Sequence, residues 1–290
     1  GKFGEDGTIQ GLCELAKLPC VGPEMLGSAI CMDKPTAKLV FKDCGIQQAD
    51  WVTVYAEELE NIDEVVSKIE NKFKYPVFIK PANAGSSVGI GKSHNKAELK
   101  EHLINAAKVD RKILVEEFID GREVECAVIG NEEPFASVLG EIIATKEFYD
   151  YEAKYINDST GLAIPAELPE GVEAKVQEAA KKAYLALNCS GLSRVDFFLL
   201  EDGRICLNEL NTLPGFTSIS MFPKLFAKVG VPYSELIDRL IAIKGYENTE
   251  DNDSLKEMYS ADDDNMQMFY LKDATATFSS FTGEPEVVEF

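Results

Sequence analysis

Residues 193–211, "SRVDFFLLEDGRICLNELN", decide how this chain is read. Apolar and polar side chains alternate on either side of Asp202-Gly203, which predicts two antiparallel strands closed by a tight turn. If Asp202-Gly203 is a two-residue turn, paired positions sum to 405, so Asp196 faces Glu209 and Arg194 faces Asn211. Side chains alternate with period two, so all four share one face of the hairpin. Directly opposed carboxylates repel. Either the face is a solvated polar surface on an edge hairpin, or a cation sits between the acids. Oxygen donors from Asp, Glu and Asn suit Mg²⁺, which takes a few carboxylates together with phosphate oxygens.

Working outward, 290 residues are enough for a large core divided between two or three lobes. A hydrophobic content of 45% and a charged content of 27% are those of a globular protein. No apolar run approaches a membrane span, and no signal-peptide pattern opens the chain. The net charge of −21 disfavours a nucleic-acid partner, since phosphate contacts want Lys and Arg. Seven scattered cysteines without a C-x-x-C pair read as buried free thiols, with the cytoplasm as compartment. Residues 246–290 hold 12 acidic and 2 basic side chains. That composition is of a solvated tail, although "MFYLKDATATFSSF" (268–281) has the residues for a strand or two.

Residues 1–19 read as a glycine-rich loop feeding a short helix, and further helices are expected at 33–45, with Asp33 as cap and Gly45 at the end, and at 61–73. Asn95-x-x-Glu98 reads as a capping box opening a helix at 96–108, and 173–188 is a further helix. Strands are expected at 75–81, 112–119, 122–130 and 135–143, several joined as hairpins. Helices packed on largely antiparallel sheets make an α+β fold.

Lys80 ends an apolar strand and leads into "PANAGSSVGIGKS", whose small residues can bring backbone N–H groups and hydroxyls against phosphates. An ordinary hairpin turn explains the glycines equally well. Gly91-Lys92-Ser93 imitates the end of a P-loop, but the first glycine of that motif would fall on Ser86 and the next helix begins after Asn95. Glu116, Glu117 and Glu123 flank a strand-turn-strand, either as acceptors for adenine and ribose or as a charged sheet face. "YDYEAKYINDST" (149–160) reads as a surface loop able to fold over a ligand. His94 and His102 lack metal spacing and are expected on an exposed helix face.

Seven stretches in order, "GKFGEDGTIQG", "MDKPTAK", "VFIKPANAGSSVGIGK", "LVEEFIDGREVECAVIG", "FYDYEAKY", "SRVDFFL" and "NELNTLPGFTSISMFP", resemble the D-alanine–D-alanine ligase family of the ATP-grasp superfamily. The resemblance covers about residues 1–245 and implies two lobes of largely antiparallel sheet with nucleotide bound between them. It divides the chain into a remnant of the family's N-terminal α/β substrate domain (1–22), a small lobe (23–119), a catalytic lobe (120–245) and an acidic tail (246–290).

The resemblance further implies ATP-dependent joining of two D-alanines through an acyl phosphate, for peptidoglycan and hence cell-wall and cell-shape functions. Two Mg²⁺ ions, with Mn²⁺ as substitute, would sit on Asp196, Glu209 and Asn211. Arg194 would stabilise the acyl phosphate, with the Gly215 N–H as oxyanion donor. Lys34 and Lys80 match phosphate lysines, Glu116, Glu117 and Ile119 the adenine region, Glu123 the ribose contact, and Lys154 a loop lysine reaching the γ-phosphate. Ser86 and Tyr155 match the pair that ties that loop down, and Ser220 and Met221 the contacts to the second substrate's carboxylate. The expected partners are D-alanine, ATP and a second copy of the chain, with no membrane. The alternatives are a ligase making D-alanyl-D-lactate or D-alanyl-D-serine, and a nucleotide-binding truncation without activity.

Overall fold

The computed structural model describes residues 1–16, 18, 20–85, 88–143, 161–217 and 219–244, together with the backbone of 275–278 and 286–289. Three helices come first: α1 (Thr8–Ala16), α2 (Met25–Met32) and α3 (Lys34–Asp43). The start of α3 is written in its sequence. Asp33 accepts from the Thr36 N–H at 3.0 Å, Pro35 occupies the first turn, and the helix stops ahead of Gly45 at φ +67°.

A four-stranded sheet follows, built from β1 (Trp51–Tyr55), β2 (Val77–Pro81), β3 (Gly91–Ser93) and β4 (Lys112–Glu117) in the order β1-β4-β2-β3. All its pairings are antiparallel. One face presents Val77, Ile79, Ile113 and Val115 to helices α4 (Ile62–Lys72) and α5 (Lys96–Val109), forming one core with Val66, Ile69, Leu99 and Leu103. Alternation therefore sends Phe78, Lys80, Leu114 and Glu116 to the opposite face. That face borders the cleft.

The larger sheet contains β5 (Arg122–Gly130), β6 (Phe135–Ile143), β7 (Gly161–Ala163), β8 (Gly191–Leu199) and β9 (Ile205–Asn211), ordered β7-β6-β5-β8-β9 and antiparallel throughout. On one side Val124, Cys126, Val195 and Phe197 pack beneath α6 (Val172–Ala186), and α3 adds Ala37 and Phe41 to that core. On the other side Ala127, Ile129 and Leu192 pack beneath α7 (Met221–Lys228) and α8 (Tyr233–Ile243). Further along this second face the side chains turn polar, and the site begins there. The α+β reading with two largely antiparallel sheets is thus the observed one. In the acidic tail, β10 (Thr275–Phe278) and β11 (Glu286–Glu289) pair antiparallel. No helix among the described residues is long and apolar enough to cross a membrane.

The β8–β9 hairpin differs from expectation in an instructive way. Leu200 N–H donates to Arg204 O and Gly203 N–H to Leu200 O, both at 2.9 Å, with Gly203 at φ +79°. The loop is therefore three residues long, a turn that ends in a left-handed glycine, and the two-residue turn is corrected. Near the turn, Leu199 pairs with Ile205 and Phe197 with Leu207, one short of the predicted sum. A β-bulge at Asn208 restores the missing residue, so Asp196 pairs with Glu209 and Arg194 with Asn211 as expected.

Two smaller readings also change. His94 is exposed but precedes α5, whereas His102 is half-buried, its Nδ1 2.8 Å from Ser93 Oγ. Its ring fills the space beside Gly91, where a Cβ would approach His102 Cγ to 2.4 Å; this glycine is required by close packing. The capping box is present in shifted form. Asn95 Oδ1 accepts from the Ala97 and Glu98 N–H groups, while Glu98 returns to the His94 N–H at 2.8 Å.

Candidate active site

Two clusters face each other across the cleft. The first belongs to the larger sheet. Arg194 donates to Asp196 through Nε at 2.8 Å and a terminal nitrogen at 2.7 Å, and the same Nε lies 3.1 Å from Glu125 Oε2. Asn211 Nδ2 donates to Asp196 Oδ2 at 2.9 Å. Glu209 stands opposite Asp196 in register. Burial by itself would disfavour a charged guanidinium, but Asp196 and Glu125 outweigh it and hold Arg194 well above its ordinary range. Arg194 is a fixed cation between two acids.

The second cluster belongs to the smaller sheet and α3. Glu116 is 3% exposed yet takes a lysine on each oxygen, Lys38 Nζ on Oε1 and Lys80 Nζ on Oε2, both at 2.6 Å. Burial pushes its carboxyl up, and the two lysines more than reverse this, bringing it down to about 2. Lys80 also donates to Asn208 Oδ1 at 3.2 Å, which ties it to the bulge of β9. Burial would lower the Lys80 ammonium; Glu116 above all, with Glu209 and Glu123, raises it instead. Lys34 Nζ donates to Ala84 O at 2.8 Å, and burial takes it below its ordinary value, partly offset by Glu209. A cavity lined by Lys34, Lys38, Lys80, Glu116, Asn208 and Glu209 joins the two clusters.

The other expected residues divide. Glu123 lies on the Asp196 face of the larger sheet by strand alternation. Ile119 follows β4 and is half-buried. Glu117 alternates away from Glu116 and accepts from the Asp50 N–H at 2.8 Å, so the structure does not bring its carboxylate to the cleft. Gly215 and Ser220 share one turn: a Cβ at 215 would meet Ser220 Oγ at 2.8 Å, and Ser220 Oγ accepts from the Thr217 N–H at 3.1 Å. The Met221 side chain is buried under Gly140 at the start of α7, which leaves its backbone N–H as the group it can offer. Ser86, Lys154 and Tyr155 lie outside the described residues. Lys92 sits in β3 with Nζ 4.4 Å from the Phe118 ring centre, and the following helix starts at Lys96, which removes the P-loop reading.

Three site residues were not anticipated. Lys38 follows Lys34 by one helical turn, and Glu125 follows Glu123 by one strand repeat; both periodicities were available in the sequence. Asn208 had no such signal, because it enters the cleft through the bulge. All seven cysteines are free, as expected, and Cys31 Sγ lies 3.6 Å from Cys189 Sγ.

The family model described as "D-ala D-ala ligase C-terminus" matches residues 40–242, which take in the first cluster and, of the second, Lys80, Glu116 and Asn208, while Lys34 and Lys38 precede the match. The chain belongs to the D-alanine–D-alanine ligase family. A curated D-alanine–D-alanine ligase of Acetivibrio thermocellus is 56% identical over 261 residues, 89% of this chain and 68% of that one. One from Clostridium acetobutylicum is 55% identical, covering 86% of this chain and 73% of the relative. Among solved structures, the VanG D-Ala:D-Ser ligase of Enterococcus faecalis superimposes with a TM-score of 0.77 at 42% identity, over 84% of this chain and 70% of that chain. The D-alanine–D-alanine ligase of Coxiella burnetii gives 0.72 at 34% identity, over 89% and 69%. The family's ATP-grasp arrangement, two sheets with a cleft between them, is the fold described above.

Proposed function

We propose that this chain joins two D-alanines into D-alanyl-D-alanine with ATP, supplying a peptidoglycan precursor. The observation that carries the reading is the meeting of Lys34 and Lys80 with Glu209, the register partner of Asp196, in one cavity, on a chain of this family. In this reading the carboxylate of the first D-alanine attacks the γ-phosphorus of ATP, ADP leaves, and an acyl phosphate forms. The amine of the second D-alanine attacks the acyl carbon; phosphate departs and the new amide loses a proton.

The residues take the following parts. Lys34 and Lys80 grip the phosphates, and Glu116, Ile119 and Glu123 take the adenosine. Arg194 has Nε and one terminal nitrogen engaged with acids; its other terminal nitrogen donates to the acyl phosphate and then to the oxyanion. The Gly215 N–H assists it, and Ser220 with the Met221 N–H orients the second substrate's carboxylate. Lys154 is assigned to the γ-phosphate, and Ser86 with Tyr155 to the tie that holds the 149–160 loop over the site and excludes water.

Asp196, Glu209 and Asn211 fit Mg²⁺ by donor chemistry, two carboxylates and an amide on one face. Asn211 turns its nitrogen to Asp196, so its amide oxygen is the atom left for a cation. Bound there, Mg²⁺ supplies neutralisation of phosphate charge during transfer. For the domain division, α3 goes with the catalytic lobe, since Ala37 and Phe41 lie in that core. Free thiols and the use of ATP support the cytoplasm as the compartment.

D-alanyl-D-serine synthesis is the second reading, favoured by the similarity to the VanG structure. The test is phosphate release and dipeptide yield from purified protein with Mg·ATP and D-alanine, alone and with D-serine or D-lactate added. D-alanyl-D-alanine as the main product supports the proposal. A mixed product in excess transfers the assignment to the second reading, and no amide or ester product from any pair sinks both.

A further inference from the structure

Lys38 has no part in the mechanism above, yet it is the more deeply buried of the two lysines on Glu116. Its side chain is 4% exposed, against 15% for Lys80. An ammonium in such a place needs partners for all its donors, since each one left bare in a low-dielectric site is costly. Lys38 has them: Glu116 Oε1 at 2.6 Å, Ala49 O at 3.0 Å and Gln48 Oε1 at 3.5 Å, with the Trp51 ring centre 5.3 Å away. Gln48 in turn donates to the Lys38 carbonyl at 2.7 Å, closing a ring of contacts around the residue. Lys38 is saturated.

Lys80 is not. Among the described residues its ammonium has two hydrogen-bonding acceptors, Glu116 Oε2 at 2.6 Å and Asn208 Oδ1 at 3.2 Å, with the Phe78 ring centre 5.9 Å away. Both lysines line the cavity, and Lys80 is the more exposed of the two. The two lysines therefore have unlike roles on one acid, a fixed one held by three acceptors and a releasable, more exposed one held by two.

We propose that Lys38 is a positioning residue: it is the standing counter-ion of Glu116, and it leaves Lys80 free to turn its charge to an anionic ligand in the cleft. The inference rests on the nucleotide reading above. If Lys38 were absent, Lys80 would be the sole partner, among the described residues, of a buried carboxylate, and moving it to a phosphate would strand that charge. With Lys38 in place, Glu116 stays ionised and paired whichever way Lys80 points. Lys38 also joins α3, part of the larger core, to β4 of the smaller sheet, so the counter-ion is anchored outside the sheet that carries Lys80.

The test is a double-mutant cycle between Lys38→Met and Glu116→Gln, read as Mg·ATP affinity by calorimetry and as separate KM values for ATP and D-alanine. Lys38→Met should weaken ATP binding by about tenfold or more, with the KM for D-alanine changed less than about twofold. In the Glu116→Gln background the same change should cost less than about twofold, because no carboxylate remains to hold Lys80. Lys38→Arg, which keeps the charge, should recover most of the affinity. Should Lys38→Met melt below the assay temperature, Lys38→Gln takes its place in the cycle. Equal losses in both backgrounds, or equal losses for ATP and D-alanine, would overturn the proposal and leave Lys38 a packing residue. The wild-type protein separates the two readings. ATP binding without ligation sinks the proposed reaction, and the cycle still decides the role of Lys38. Failure of the wild type to bind ATP sinks both.

Discussion

Arg194 and Asp196, two residues apart on β8, are joined by two parallel hydrogen bonds of 2.8 and 2.7 Å. The fork requires a planar guanidinium; a lysine can supply the charge but only one of the bonds, and it gives up the contact to Glu125. Arg194→Lys should therefore lower kcat about 100-fold in a phosphate-release assay. Full activity in the lysine variant would show that charge alone suffices at this position.

Glu209 lies opposite Asp196 at the mouth of the cleft and is only half-buried, so its loss should leave the fold alone. Glu209→Gln keeps the shape and removes the charge. Turnover dependent on Mg·ATP is expected to vanish while far-ultraviolet dichroism and the melting temperature stay at wild-type values. Unchanged turnover would take Glu209 out of the metal site.

Lys80 and Lys92 flank the same glycine-rich segment, but Lys80 lines the cavity, held by Glu116 and Asn208, whereas Lys92 lies over the Phe118 ring and does not line it. Lys80→Ala should weaken Mg·ATP binding by about tenfold or more. Lys92→Ala is expected to change it less than about twofold, since the half-buried Lys92 does not line the cavity. Calorimetric titration of both variants checks the pair, and the reverse order of losses would restore a P-loop role to Lys92.

Acid stability provides a test that needs no ligand. Burial favours the neutral form of Glu116, yet Lys80 and Lys38 bring its carboxyl to about 2 from an ordinary 4.5. The folded value is the lower one, so the stabilisation is complete above about 4.5 and drains away as pH falls toward about 2. Its size is on the order of 3 kcal/mol. Glu116→Gln should be less stable than wild type at pH 7, and the gap should close as pH falls through that window. Urea unfolding at a series of pH values reads this directly. A gap independent of pH would mean that the ion pairs add nothing to stability.

Much of the fold was legible because its signals are local. The Asp33 cap, the alternation of β2 and β4 and the helical spacing of α4 and α5 each follow from a few neighbouring residues. The site was legible where its residues share a strand, as Arg194 and Asp196 do. The pairing of Asp196 with Glu209 was reached through the wrong turn, because a longer loop and a bulge offset one another in register. What remained hidden depends on contacts between distant segments: Asn208 meeting Lys80, Lys38 meeting Glu116, and the His102 ring lying over Gly91. Glu117 shows the opposite failure, since charge suggested a ligand contact and strand alternation turned it toward Asp50.

The bulge in β9 also bears on how this site can vary by inheritance. A regular strand would give alternate side chains to the cleft, so Asn208 and Glu209 could not both serve it; the extra residue lets them. Removing the codon for Asn208 would make the outer register continuous and slide Glu209 into the vacated place, still opposite Asp196. The acid pair would survive while Lys80 lost its second acceptor. The two halves of the cleft can therefore change independently by a single in-frame deletion, one altering the grip on Lys80 and leaving the facing acids untouched.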